Sequence, residues 1–375
     1  MRILIAGRGF DTPGEHRVGV FELDQAKALR DAGHDVRFAA VDTRSLRRRR
    51  PLGCREYRLD GIGVWSCAVP AGARPAALAG FAQRAAAASI WKRVTADGWT
   101  PELVHAHFGA ALLREARRRG IPTVYTEHSS QANRDVPDAA ELRREQEYCA
   151  LADRVICVSS ALAGRLRAHT GTVPLIVPNV IDTAAFTAPP TEKSGTGGFA
   201  FVSAGNMIPV KGFDILLAAF AGLAARREAV TLTLIGDGPS EAVLRASARD
   251  LGIDRRVRFT GRLSRAEMAA EYRKADAFVL ASRSETFGVV YAEAMAAGLP
   301  VIASRCGGPE DFVSDGSGIL VPTEDAEALA AAMEQMISHR NEYDSAAIAA
   351  AARESFSPGT VAARLTAVYE ELVKC

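Results

Sequence analysis

Apolar and polar residues follow two rhythms along the chain. Short apolar runs alternate with longer stretches of helical periodicity. "RILIA" (2–6) reads as a strand, and "VFELDQAKALRDAGH" (20–34) as an amphipathic helix ending at Gly33. Further strands are expected at "DVRFAAV" (35–41), "GVWSCAV" (63–69), "LVHAHF" (103–108), "TVYTEH" (123–128) and "RVICVS" (154–159), with an Ala-rich helix near 76–96. Strands alternating with helices predict a parallel sheet with crossover helices.

The rhythm stops at "DTAAFTAPPTEKSGTGG" (182–198), which is rich in Thr, Pro, Gly and Ala and reads as a linker. It restarts with "FAFVSAG" (199–205) as a strand and "DILLAAFAGLAARR" (214–227) as a helix. Strands follow at "TLTLIGDG" (231–238), "VRFTG" (257–261), "DAFVLAS" (276–282), "PVIAS" (300–304) and "GILVP" (318–322). Two helices cover about 324–353, and "SPGTVAARLTAVYEELVKC" forms a last one, opened by Ser357 and Pro358. The prediction is an α/β fold of two doubly wound Rossmann-like domains facing each other across a cleft. Residues 1–182 form the first domain, 183–198 the linker and 199–357 the second. Ligands of such sheets gather at the carboxyl ends of the strands.

A length of 375 residues agrees with two domains, because single cores rarely grow past about 250–300 residues. Lys and Arg total 46 against 44 Asp and Glu, a balance that argues against a nucleic-acid binder. Charge is nevertheless clustered. Arg44 and Arg47–Arg50 fall in "RSLRRRR", and Arg114, Arg117, Arg118 and Arg119 form a second group. Each is either solvated surface or a patch for anionic lipid or a phosphorylated acceptor. The six cysteines show no CxxC pairing and no metal-ligand spacing, so a reduced, cytoplasmic protein with buried thiols is expected. "MRILIAG" reads as a strand, its apolar run being too short for a signal segment. No apolar run is long enough to span a membrane, so any membrane contact would be peripheral, through Arg44–Arg50 at the inner face.

"GRGFDT" (7–12) opens like a dinucleotide fingerprint, but Thr12 stands where the third glycine belongs and Pro13 follows. The loop 7–19, with Gly7, Gly9, Gly14 and Gly19, is long for a strand–helix turn; it is either functional or a flexible surface loop. The more informative stretch is "SETFGVVYAEAMAAGLP" (284–300), with Glu285 and Glu293 eight positions apart. On one helix, eight residues advance about 800°, roughly 80° off a shared face. A strand ending near Ser282 and a helix starting around Gly288 solve this. Glu285 then lies in the loop and Glu293 in the first helical turns. The amides of Phe287, Gly288 and Val289 form an anion site suited to phosphate, and Gly288 allows close approach. Two carboxylates flanking such a site can accept hydrogen bonds from sugar and ribose hydroxyls. The plainer alternative is one surface glutamate and one helix cap.

"SETFGVVYAEAMAAGLPVIASRCGGPE" resembles the signature of glycosyltransferase family 4, retaining enzymes of the GT-B fold. Its Glu-x7-Glu motif falls on Glu285 and Glu293. "GNMIPVKGFDILL" (205–217) resembles the family's phosphate-binding segment, and "LIGDGP" (234–239) and "RFTGRL" (258–263) its nucleotide-side loops. "YTEHS" (125–129) resembles the segment with the active-site histidine, and "GVFELDQAKALRDAGHDV" (19–36) the first helix of bacterial polysaccharide-type members. The resemblance spans nearly the whole chain. It implies that Glu285 binds donor-sugar hydroxyls, Glu293 the ribose, and Lys211 the departing diphosphate, with His128 contacting the sugar. Gly19, Asn206, Gly236, Arg262, Phe287, Gly288 and Val289 would complete the donor site. "GGPE" (307–310) would start another helix near the donor. The family pairs its lysine with an arginine five residues earlier, where this chain has Asn206. The last helix, 358–375, would cross back onto the first domain.

The implied activity is metal-independent transfer of a sugar, with retention, from a nucleotide-diphosphate sugar to an acceptor hydroxyl. No cofactor is implied; the donor is a UDP-sugar in preference to GDP-mannose, and the acceptor a carbohydrate or lipid-linked molecule, as in polysaccharide, glycolipid or glycoconjugate synthesis. His105 and His107 share one side of their strand, but no carboxylates accompany them, so no metal is expected. Two other readings remain. One is a nucleotide-sugar epimerase or hydrolase using Glu127 and Asp135. The other is a non-catalytic sugar-nucleotide-binding partner, to which Asn206 leans.

Overall fold

The computed structural model describes residues 1–8, 20–45, 52–72, 76–107, 109–129, 132–133, 136–186 and 198–374. The chain divides into two compact units, Met1–Val180 with Pro358–Cys375, and Ile181–Ser357.

The first unit is built on eight strands: β1 (Arg2–Gly7), β2 (Asp35–Ser45), β3 (Gly53–Leu59), β4 (Ile62–Gly72), β5 (Leu103–Ala106), β6 (Thr123–Glu127), β7 (Arg154–Cys157) and β8 (Leu175–Ile176). They lie in the order β3-β4-β2-β1-β5-β6-β7-β8. Five helices, α1 (Val20–Asp31), α2 (Ala76–Val94), α3 (Ala110–Arg117), α4 (Ala139–Leu151) and α5 (Ser160–Thr170), connect them, and α13 (Pro358–Val373) joins this unit. Residues 3–7 of β1 are buried without alternation, as a parallel strand covered on both faces requires. One core cluster joins Ile3 and Ile5 of β1, Leu29 of α1 and Phe38 of β2 to Val361, Leu365 and Tyr369 of α13.

The sheet is not parallel throughout. β3 and β4 pair antiparallel, from Leu59↔Ile62 to Gly53↔Ala68. Asp60 and Gly61 both have positive φ, 49° and 82°, the geometry of a two-residue hairpin turn. This hairpin places Cys54 opposite Cys67, and the two form a disulfide. The expectation of free thiols fails at this pair; Cys149, Cys157 and Cys306 are free.

The second unit has a six-stranded, all-parallel sheet: β9 (Phe199–Ala204), β10 (Val230–Ile235), β11 (Val257–Gly261), β12 (Ala277–Leu280), β13 (Val301–Ser304) and β14 (Gly318–Val321). Its order is β11-β10-β9-β12-β13-β14. The helices are α6 (Thr183–Phe186), α7 (Phe213–Ala224), α8 (Glu241–Asp250), α9 (Arg265–Lys274), α10 (Val289–Ala296), α11 (Ala326–Ser338) and α12 (Ser345–Phe356). The expected linker is structured at its start: Phe186 of α6 is buried and stacks on Tyr272 with ring centroids 5.7 Å apart. Strand order reverses at β9, which lies between β10 and β12. The loops after β9 and β12 therefore flank the crevice where such sheets bind ligands.

Among the described residues, no helix is long and apolar enough to cross a membrane. Gly19, Asp135 and Arg47–Arg50 lie outside the described residues, and of Arg44 only the backbone, in β2, is described.

Candidate active site

In the second unit, the sheet brings two sequence-distant loops together. The loop after β9 ends in a 3-10 turn, Pro209–Lys211, and the loop after β12 carries Ser282 and Glu285. Lys211 Nζ donates to Glu285 Oε1 at 2.6 Å, and Ser282 Oγ donates to the same oxygen at 2.7 Å. Glu285 is held by its backbone as well: its N–H donates to Cys306 O at 3.1 Å, and its carbonyl accepts from Gly308 N at 3.0 Å. Two side chains therefore hold the carboxylate through Oε1, two backbone bonds hold the residue, and the side chain is buried. Burial also pushes the Cys306 thiol up to about 12, so a neutral thiol stands beside the pair.

Gly288 is the N-cap of α10, with φ 93°. A side chain there would meet Tyr291 Cδ2 at 2.8 Å and Pro309 Cγ at 3.2 Å, so glycine satisfies both the left-handed backbone and the close packing. Glu285 precedes this cap and Glu293 lies inside α10, both buried. The amides of the first turn of α10 lie between them, an arrangement that favours an anion. The Phe287 side chain is not part of this surface. It packs against Phe312 and Phe356, with ring centroids 5.4 Å from each, and so anchors the loop in the core.

Asn206, Gly236 and Arg262 sit in a second loop cluster, after β9, β10 and β11. Met207 N donates to Asp237 O at 2.8 Å, and Gly236 N to Gly261 O at 2.8 Å, so the three loops are laced by their backbones. Asn206 is exposed. Arg262 forms an ion pair with Asp237 at 2.9 Å. Sequence reading missed Arg283, which buttresses the lysine loop. Its guanidinium binds Asp214 through two bonds of 3.0 and 2.8 Å, contacts Glu324 and the carbonyl of Pro209, and its backbone N–H donates to Val210 O at 2.8 Å. The paired carboxylates hold that guanidinium more firmly charged than usual.

In the first unit, His128 follows β6. Glu127 beside it accepts from Tyr125 Oη at 2.5 Å and from the amides of His128 and Ser129 at 2.9 and 2.6 Å. These bonds make Glu127 an organiser of the His128 loop. His105, His107 and His128 form a buried stack, with successive ring centroids 4.5 and 5.0 Å apart. Burial holds all three neutral, with His107 pushed down to about 3 and the other two well below the usual range. Nearby, Arg8 Nε donates to Glu22 Oε1 at 3.2 Å, and burial raises Glu22 to about 7.

These shifts predict an acid-labile first unit. The unfolded chain protonates its histidines below about 6.5, while the folded imidazoles stay neutral, so stability present above that pH is lost as the pH falls. Each histidine contributes up to about 1.4 kcal/mol per pH unit. Glu22, Glu127 and Glu145, each raised by burial, act in the opposite sense, but burial also lowers His34, so four imidazoles stand against three carboxyls. The urea midpoint should be lower at pH 5.5 than at 7.5. An unchanged or higher midpoint contradicts this reading.

Two family profiles together span most of the sequence. "Glycosyl transferases group 1" matches residues 188–354 and "Glycosyltransferase Family 4" matches residues 18–185. A D-inositol 3-phosphate glycosyltransferase from Corynebacterium kroppenstedtii is 33% identical over 307 residues, covering 72% of this chain and 67% of the relative. The chain belongs to glycosyltransferase family 4. The corresponding enzyme of Segniliparus rotundus is 32% identical over 256 residues, which span 60% of this family 4 chain and 56% of that protein's length. The fold also matches the crystal structure of Anabaena HepE in complex with UDP, with TM-score 0.76 at 21% identity, covering 99% and 100% of the two chains. Family 4 membership and the GT-B fold of paired Rossmann-like units thus agree.

Proposed function

We propose that this family 4 protein transfers a sugar from a nucleotide-diphosphate sugar to an acceptor hydroxyl with retention of configuration. The carrying observation is the Lys211–Glu285 pair at the strand-order switch of the second sheet, beside the amino end of α10. In the reaction, the bond from the anomeric carbon to the phosphate oxygen breaks and its electron pair leaves with the diphosphate. Lys211 and the α10 amides stabilise that growing charge. Glu285 orients the sugar hydroxyls and Glu293 the ribose. The acceptor oxygen bonds the anomeric carbon on the same face, and its proton passes to the leaving phosphate. Asn206, Gly236 and Arg262 stand on the nucleotide side. A uridine nucleotide is the preferred donor, in keeping with the UDP bound by HepE.

The acceptor side belongs to the first unit. A cavity of about 520 Å³ there is lined by Arg84, Arg114 and Arg144, with Glu147 and Tyr148. Tyr148 Oη accepts from Gly109 N at the start of α3, at 3.3 Å. Arg114 pairs with Glu147 and Arg144 lies 3.6 Å from Glu141, and with Arg84 the group keeps a net positive charge that favours an anionic acceptor such as a phosphorylated sugar or polyol, consistent with the substrate named for the inositol 3-phosphate relatives. Arg84→Ala and Arg144→Ala should each raise KM for a phosphorylated acceptor about tenfold without changing donor affinity. Equal KM values for phosphorylated and neutral acceptors in the unaltered protein would remove this part of the reading.

The deciding experiment is a panel of nucleotide sugars assayed with and without acceptors. Nucleoside diphosphate should appear only with an acceptor, and the product should keep the donor's anomeric configuration by NMR. An isomerised donor, acceptor-independent release or an inverted product contradicts the proposal. Donor binding without any turnover would identify a sugar-nucleotide-binding partner instead.

A further inference from the structure

The "HAH" at the end of β5 (105–107) has no part in the transfer chemistry, yet both imidazoles are fully buried. Buried ring nitrogens need partners, and the partners decide where each proton sits. Gln25 of α1 provides the starting point. Its amide nitrogen has two N–H groups and no lone pair to accept with. It lies 3.2 Å from His107 Nε2 and 3.1 Å from His105 Nδ1. The structure assigns the amide nitrogen, not the oxygen, to this side, and with that assignment His107 Nε2 accepts and its proton is on Nδ1. That atom is 2.7 Å from His128 Nε2, which must accept in turn. At the other end, Tyr369 Oη of α13 donates to His105 Nδ1 at 2.6 Å, the shorter of the two contacts on that single lone pair, and His105 Nε2 donates to Thr126 Oγ1 at 2.7 Å.

We infer that Gln25, acting through His107, locks His128 in the Nδ1–H tautomer, so that His128 can donate a hydrogen bond but cannot take a proton from substrate. Its Nε2 lone pair is already used by His107. Gln25 and His107 are positioning residues, and Tyr369 ties the last helix to the same chain of bonds. The inference deepens the proposed function, since it rests on His128 as the sugar-contacting residue of the first unit. It assigns His128 the task of holding a hydroxyl oxygen, and it agrees with the acceptor proton leaving on the phosphate.

Two-bond proton–nitrogen correlation spectra of the full chain, labelled with 15N-histidine and recorded without substrate, test this directly. His128 and His107 should show protonated Nδ1, and His105 protonated Nε2. Gln25→Glu, which offers only acceptors, should move the protons of His107 and His128 to Nε2, and should lower kcat about tenfold with donor KM within twofold. An Nε2–H tautomer at His128 in the unaltered protein overturns the inference. So does a Gln25→Glu spectrum with unchanged tautomers. If Gln25→Glu does not fold, the unaltered spectrum still decides. The spectrum is read without turnover, so its outcome is separate from that of the donor panel.

Discussion

Lys211→Ala is expected to lower kcat by about 10²–10³-fold, the usual effect of removing one fixed charge-stabilising group from a transition state. The expectation follows from geometry. The lysine is held at 2.6 Å on Glu285, in a loop braced by Arg283, so it is positioned before any ligand arrives. Preorganised charge needs little rearrangement as the diphosphate departs. Lys211→Arg should restore less than a tenth of the lost rate, because a planar guanidinium cannot reproduce a point charge seated between two loops. Glu285→Gln should also reduce kcat strongly, but its binding signature differs. It frees Lys211 from its carboxylate, so UDP affinity should hold or rise, whereas Lys211→Ala should weaken UDP binding. The double variant should lose far less than the product of the single losses, since the two side chains touch. Near-normal turnover in Lys211→Ala, or weaker UDP binding in Glu285→Gln, would remove these roles. Calorimetric titration of UDP and initial-rate kinetics measure both quantities.

Much of this site is legible in sequence because it depends on where strands end. The apolar run 277–280 and the glycine at 288 bracket Glu285, and eight residues are too many for a shared helical face but suit a loop and a following helix. The parallel architecture is legible for the same reason. Continuous apolar strands alternating with amphipathic helices have few other solutions. What escapes the sequence is contact between segments far apart in the chain. Arg283 reads as one more surface arginine until the fold sets Asp214 and Glu324 on either side of it. The HAH motif looks like incipient metal chemistry until α1 and α13 supply Gln25 and Tyr369. The β3–β4 hairpin was within reach: Asp60-Gly61 between apolar residues is a two-residue turn signal. That turn sets Cys54 opposite Cys67. Its surrounding residues, "CREYRLDGIG", are too charged for the apolar-run rule that located the parallel strands.

Gly212→Ala should be the most damaging single-atom change in the second unit. Gly212 follows Lys211 and caps α7 with φ 62°. A Cβ at this position would lie 1.9 Å from the carbonyl oxygen of Ala281, one residue before Ser282. This is where the lysine loop and the glutamate loop meet, backbone against backbone, and no side-chain rotation can relieve the overlap. The left-handed backbone alone costs about 1–2 kcal/mol with a Cβ present, and overpacking adds about 1–3 kcal/mol. Gly252 separates the two contributions. It has φ 68° and no atom within 4 Å of its would-be Cβ, so Gly252→Ala carries only the backbone cost. Gly212→Ala should therefore be the more destabilising of the two in urea, by about 1–3 kcal/mol. Its surviving folded fraction should turn over about 10²-fold more slowly, because spreading the loops moves Lys211 relative to Glu285. Gly252→Ala should keep the normal rate. Equal stability loss and equal turnover in the two variants would show that the loop junction does not set the position of Lys211.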